Sequence, residues 1–158
     1  MVKYWVLMAF LSISNFGLTQ TLRGFTLNDV NNLNVNFEDI KGEKITVIDF
    51  WATWCKPCMK AIPKLSQLSS KYRSEGVQFI GINGDGPRNI AKVGPLTKAL
   101  QIDYPILLDP DLTILQDLNV SSFPTLLILN EKNEVIWRHE GYIEGDEILI
   151  EKAILNSL

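Results

Sequence analysis

Both cysteines of the chain fall in one stretch, DFWATWCKPCMKAIPKL, where Lys56 and Pro57 separate Cys55 from Cys58. Two thiols at this spacing can pass reversibly into a disulfide, so dithiol-disulfide exchange is the first chemistry to consider. A disulfide that closes so short a loop removes little entropy from the unfolded chain, because the gain grows with loop length. At 158 residues the chain is also long enough to bury a core without such a staple. The value of the pair is therefore chemical.

The pair follows the apolar run KITVIDFW and opens a segment in which Met59, Ile62, Leu65, Leu68 and Tyr72 recur at helical spacing. Cys55 then stands at a helix N-terminus, where unpaired N–H groups and the helix dipole favour an anion. We expect Cys55 to be the attacking thiolate. Lys56 adds positive charge, a small effect for an exposed side chain. Pro57, just inside the helix, has no N–H to leave unpaired and presets the helical φ. Cys58, one turn on, should face inward and resolve the mixed disulfide that Cys55 forms.

Other readings of the pair are weaker. A CxxC metal clip needs two further ligands, and the chain offers no third cysteine and a single histidine, His139. Free cysteines also pack as small hydrophobes. A peroxidase would need one peroxide-activating cysteine with a hydroxyl and an arginine about it, and no such arrangement is visible. No paired acid or nucleophile adjoins His139 in the sequence, so it is read as a surface residue.

The elements that must position the sulfurs alternate in type. KITVIDFW and VQFIGIN read as strands buried on both faces. The first is followed by a helix from Pro57 to about Tyr72, which contains Pro63 and stops at Gly76. The turn GDGPRN leads to a helix over about 90–100, then come a short strand in YPILLDPD and a short helix in LTILQDLNV. TLLILN and VIWRHEG form two strands about the turn EKNE, and Asp146 to Leu155 closes the chain as a helix. This order predicts parallel strands with an antiparallel pair at one side. GFTLNDVNNLNVNFEDIKGE, alternating about an Asn-rich turn, predicts a hairpin that precedes the main sheet. GDG is a turn and not a phosphate loop, since no GxxxxGK[ST] follows. Tyr104 is read as core, and Trp51 as packing.

The composition, 46% hydrophobic and 21% charged with net charge -3, is that of an ordinary globular domain. Lys56 with Lys60 and Lys71 with Arg73 are scattered pairs, not the clustered basic face that nucleic acid requires. Residues 1–19 start with Lys3 and an apolar run from Tyr4 to Leu11, the pattern of a signal peptide. No charge lies between Lys3 and Arg23, so an uncleaved anchor remains the alternative. Membrane contact is expected only in that case. The domain proper is placed at 24–158.

VIDFWATWCKPCMKAIP, with its proline five residues after Cys58, resembles the active-site segment of the thioredoxin superfamily. The signal segment, the hairpin, the FWATWC wording and the segment from Gly86 to Val120 resemble more narrowly the TlpA/ResA-like thiol-disulfide oxidoreductases of bacterial cell envelopes. The resemblance runs from about Gly24 to the C-terminus. It implies an α/β thioredoxin-like fold: a mixed sheet of four to five strands flanked by helices, an N-terminal β-hairpin extension, and the cysteine pair at one sheet edge.

The same resemblance gives SSFPTLLIL a meaning, because the family carries a cis-proline facing the CxxC and Pro124 matches it. From the residues alone Pro124 would be an ordinary proline at a strand start. The loop would offer the backbone of Phe123 to an extended client segment, with Trp54, Lys56 and Pro57 completing the substrate surface. Asp49 matches the buried acid that thioredoxins use beside the second cysteine. A carboxylate within VIDFW should be desolvated and its pKa raised, fitting it to take a proton from Cys58. Many ResA-like proteins carry a glutamate three residues after the second cysteine; Ala61 stands there, so the role attached to that glutamate, including cytochrome c maturation, is not implied.

The expectation is an extracytoplasmic, periplasmic protein-disulfide reductase with catalytic Cys55, Cys58 and Asp49. It needs no cofactor beyond the Cys55–Cys58 disulfide, acts on client proteins with disulfides and receives electrons from a membrane donor. The alternative is a copper-carrying or redox-silent binding module on the same fold.

Overall fold

A computed structural model describes residues 20–158 of the chain; the signal segment expected at 1–19 lies outside the described residues. The first elements are β1 (Thr26–Asp29), β2 (Asn34–Asn36) and a single helical turn, α1 (Phe37–Ile40). They are followed by β3 (Ile45–Trp51), α2 (Lys56–Tyr72), β4 (Val77–Asn83), α3 (Val93–Ala99) and β5 (Ile106–Leu108). The remaining elements are α4 (Thr113–Asp117), β6 (Thr125–Asn130), β7 (Val135–Glu140) and α5 (Asp146–Ser157). Short 3₁₀ turns occupy Arg73–Glu75 and Ile90–Lys92.

The seven strands among the described residues form one sheet, in the order β2-β1-β5-β4-β3-β6-β7. β3, β4 and β5 are parallel, while β6 and β7 extend one side antiparallel. The hairpin does more than precede the sheet, because β1 pairs antiparallel with β5 and adds two strands to the other side. Two expectations are corrected here. The sheet has seven strands instead of four to five, and the cysteine pair follows a central strand instead of lying at a sheet edge. Pairing between segments some 80 residues apart is set by tertiary packing, which local alternation does not encode.

All seven residues of β3 are buried, because helices cover both faces of the sheet. Its side chains alternate between two cores. Ile45, Val47 and Trp51 join Cys58, Ile62 and Leu65 of α2 with Ile150 and Ile154 of α5. Ile48 and Phe50 join Phe37, Ile114, Leu115 and Leu118 on the opposite face. Each fully buried Leu or Ile contributes about 1.5–3 kcal/mol, so the docking of α2 is firm although Pro63 lies inside it. After α2 the chain reverses at Gly76, whose φ of +86° is the left-handed conformation glycine adopts most readily. The packed body reaches back to the start of the described residues: Leu22 is buried, and the carbonyl of Gln20 accepts the Val135 N–H at 2.8 Å.

Candidate active site

At the carboxyl end of β3 the chain turns through Ala52, Thr53 and Trp54 into α2. Cys55 is the N-cap of that helix: its backbone is extended and its Sγ accepts the Cys58 N–H at 3.2 Å. The first turn carries no acidic residue, so nothing there opposes negative charge on Cys55. Cys55 and Cys58 are joined as a disulfide with their Cα atoms 5.3 Å apart. Cys58 is completely buried against α2 and the sheet, whereas Cys55 retains 4% of its surface. Of the two, Cys55 is the residue that keeps some exposed surface. Lys56 and Pro57 are exposed beside it.

Trp54 is 63% exposed, and its ring meets that of Phe123 edge-on with centroids 5.5 Å apart. That contact brings the loop before β6 to the cysteine turn. The Phe123–Pro124 peptide bond is cis, as the resemblance implied. Gly84 leaves room for Phe123, since a Cβ on it would stand 2.6 Å from the ring's Cζ. Trp54 also borders a largely apolar groove of about 700 Å³, lined by Thr53, Lys92, Pro95, Leu96 and Ala99 among others.

Asp49 projects from β3 on the same face as Val47 and Trp51, the face that carries α2. It is 1% exposed, and burial pushes its pKa up to about 7, although a hydrogen bond from Tyr104 (Oη to Oδ2, 3.2 Å) works the other way. Its second oxygen, Oδ1, has no hydrogen-bond partner among the described residues. Tyr104 is core, as expected, but it also contacts Asp49, which no feature of the sequence signalled.

A second buried acid went unnoticed in the GDG segment. Asp85 is fully buried, accepting from Thr53 N–H at 2.6 Å, Thr53 Oγ1 at 2.9 Å and Asn83 Nδ2 at 2.9 Å. It clamps the residue two before Cys55. GDG is an irregular loop that runs into a turn at 87–89, and a loop aspartate and a buried clamp look alike in sequence, because two of the three donors come from Thr53, 32 positions away. The reading of His139 needs correction. Its Nε2 lies 3.1 Å from Asp146 Oδ2 and its ring stacks on Trp137 at 5.6 Å. Asp146 also accepts the Ile143 N–H at 2.9 Å, so this pair braces the start of α5. Seven residues separate His139 from its partner, and only the turn between β7 and α5 brings them together.

The sequence matches the AhpC/TSA family over residues 18–138. The thiol-disulfide oxidoreductase ResA of Bacillus subtilis (strain 168) is 32% identical over 112 residues, which take in 71% of this chain and 61% of the relative. The chain thus spans about three fifths of the length of that curated relative. Among solved structures, one described as the thiol:disulfide interchange protein DsbE of Chlorobium tepidum superposes with a TM-score of 0.79 at 24% identity, covering 88% of this chain and 96% of the other. The exposed lipoprotein thioredoxin Etrx1 of Streptococcus pneumoniae strain TIGR4 superposes at 0.68 with 25% identity, covering 83% and 99%. The superpositions agree with the mixed α/β fold, and by the family match over most of its length the chain belongs to the AhpC/TSA family of thioredoxin-like proteins.

Proposed function

We propose that the chain is a thiol-disulfide oxidoreductase that reduces disulfides of client proteins. The observation that carries this reading is the Cys55 sulfur capping α2, with Cys58 buried one turn later on the face that holds Asp49. In the reduced protein the Cys55 thiolate, held by the Cys58 N–H and the helix dipole, attacks one client sulfur. The client S–S bond breaks, its second sulfur leaves as a thiolate, and a mixed disulfide joins Cys55 to the client. Cys58 then passes its proton to Asp49 and attacks the Cys55 sulfur. The Cys55–Cys58 bond forms, the client's other sulfur departs, and two electrons have passed to the client.

Trp54, Lys56, Pro57 and the Phe123–Pro124 loop form the surface around the attacking sulfur. The loop's own hydrogen bonds use the carbonyls of Ser122 and Pro124, not that of Phe123, which suits Phe123 for pairing with an extended client strand. ResA is by its name a thiol-disulfide oxidoreductase, which supports the same reaction class here. With dithiothreitol as donor, the protein is expected to reduce insulin at a rate well above dithiothreitol alone. Insulin turbidity no faster than the donor control would overturn the reading. In the cell the reducing equivalents would come from a membrane dithiol donor.

The site of action is proposed to be extracytoplasmic. The basic start and short apolar run of residues 1–19 support this, as does the likeness to an exposed lipoprotein thioredoxin. Among the described residues no helix is long and apolar enough to cross a membrane. Residues 1–20 fused to a reporter active only outside the cytoplasm are expected to give signal. A silent fusion that accumulates in the cytosol would refute the placement.

A further inference from the structure

Asp49 accepts the Cys58 proton in the proposed reaction, and the role assigned here to its neighbour Tyr104 rests on that reading. In the parallel register of β3 and β4, Asp49 stands opposite Gly81. Gly81 has no side chain because there is no room for one: a Cβ there would lie 2.4 Å from Ile106 Cδ1, 3.2 Å from Trp51 Nε1 and 3.3 Å from Tyr104 Cε2. The Gly81 N–H donates to the carbonyl of Pro105 at 2.8 Å, which anchors the residue next to Tyr104 beside β4. The Tyr104 ring crosses the missing side chain, packs at 6.0 Å from Phe79 and places its hydroxyl 3.2 Å from Asp49 Oδ2.

We propose that Tyr104 is a positioning residue, seated across Gly81, whose hydroxyl holds Asp49 by Oδ2 in the ionised state and leaves Oδ1 for the proton of Cys58. A phenol that donates to a carboxylate favours the charged form of the acid. Burial drives the other way, and the hydrogen bond keeps the carboxyl near neutrality instead of leaving it higher. Tyr104 itself remains a donor throughout, because burial and the neighbouring Asp49 hold its phenol well above the usual range.

Few other charges intrude. On β6 the residue opposite Asp49 is Leu126, and on β4 it is Gly81. From α2 the titratable groups on this face are Cys58 and Tyr72, the latter donating its hydroxyl to Glu151 at 2.6 Å, and α5 turns Ile150, Ala153 and Ile154 inward. Asp103, next to Tyr104, is tied up by Ser70 at 2.6 Å and Arg73 at 3.0 Å. Among the described residues the hydroxyl is thus the group that favours Asp49 as an anion, and its removal should be legible in a pH profile.

The experiment tracks the resolving step by stopped flow from pH 5 to 9 in the wild type, Tyr104→Phe and Asp49→Asn, with the Cys55 attack measured alongside. A hydrogen bond to a charged group is typically worth about one pKa unit. The inflection assigned to Asp49 should therefore move up by about one unit in Tyr104→Phe, slowing resolution roughly tenfold at pH 6 and little at pH 9. A purely structural role for Tyr104 would lower the rate evenly and leave the inflection in place, which overturns the inference while the base reading stands. If the wild-type profile has no inflection that Asp49→Asn removes, the base reading falls and this inference with it. Should Tyr104→Phe fold poorly, NMR of the oxidised wild-type protein decides: the Tyr104 ring signals must titrate with the same midpoint as the Asp49 carboxyl, and a ring that does not sense that midpoint overturns the proposal.

Discussion

Cys55→Ser is expected to lose client reduction by about 10³-fold or more, the scale on which removal of a nucleophile acts. Cys58→Ser, in contrast, should keep the first attack and accumulate a mixed disulfide with the client. The asymmetry arises from the geometry of α2. Cys55 sits at the helix N-cap, where its sulfur takes a backbone N–H and retains some exposure. Cys58 is completely buried in the core on the α2 side of the sheet, and its sulfur is bonded to that of Cys55. Burial raises a thiol's pKa, and a helix N-terminus lowers it. At neutral pH the reduced protein should thus react with iodoacetamide first and mainly at Cys55. Gel electrophoresis without reductant should show a client adduct with Cys58→Ser and none with Cys55→Ser. Adducts with both variants, or equal alkylation of both thiols, would sink this division of labour.

Asp49→Asn should stabilise the oxidised protein at pH 8 and change it little at pH 4. The folded carboxyl has a pKa of about 7 against an unperturbed value of 3.8, with burial as the main cause. Between those values the native state holds a proton that the unfolded chain has released, so wild-type stability falls as pH rises through this window. Above pH 7 the full shift applies, and it corresponds to about 4 kcal/mol. The buried Asn amide forfeits part of the gain, because an unpaired amide costs roughly 1–3 kcal/mol. Denaturant melts of the two oxidised proteins at pH 4, 6 and 8 measure the difference, which should open steadily as pH rises. In the reduced protein the same substitution should slow resolution up to about 10²-fold at neutral pH, the lower end of general-base assistance. Parallel melting curves at every pH, together with an unchanged resolving rate, would mean that the carboxylate carries no such burden.

The elements about the cysteines were legible to within a residue or two. A continuous apolar run gave β3 and β4, and the recurrence of Ile62, Leu65 and Leu68 gave α2. The cis bond at Pro124 was not legible from local pattern, since a proline before a strand reads the same in either isomer; the family likeness supplied it. The placement of β1 and β2 beside β5 escaped because a hairpin's alternation states that one face is buried but not against which strand.

The residues by themselves determined the chemistry: two thiols at CxxC spacing, a helix that begins at the first, and an acid within a buried strand. These are local facts, fixed by covalent spacing, backbone propensity and the periodicity of apolar side chains. Only the tertiary structure decided the company those groups keep. Tyr104 reaches Asp49 across 55 positions, Asp85 clamps Thr53 across 32, and Phe123 meets Trp54 because Gly84 clears the space. Hydrogen bonds and close packing act over a few ångströms whatever the separation along the chain. The partners of a buried polar group are therefore chosen by how strands and helices stack, and no window of sequence contains that choice.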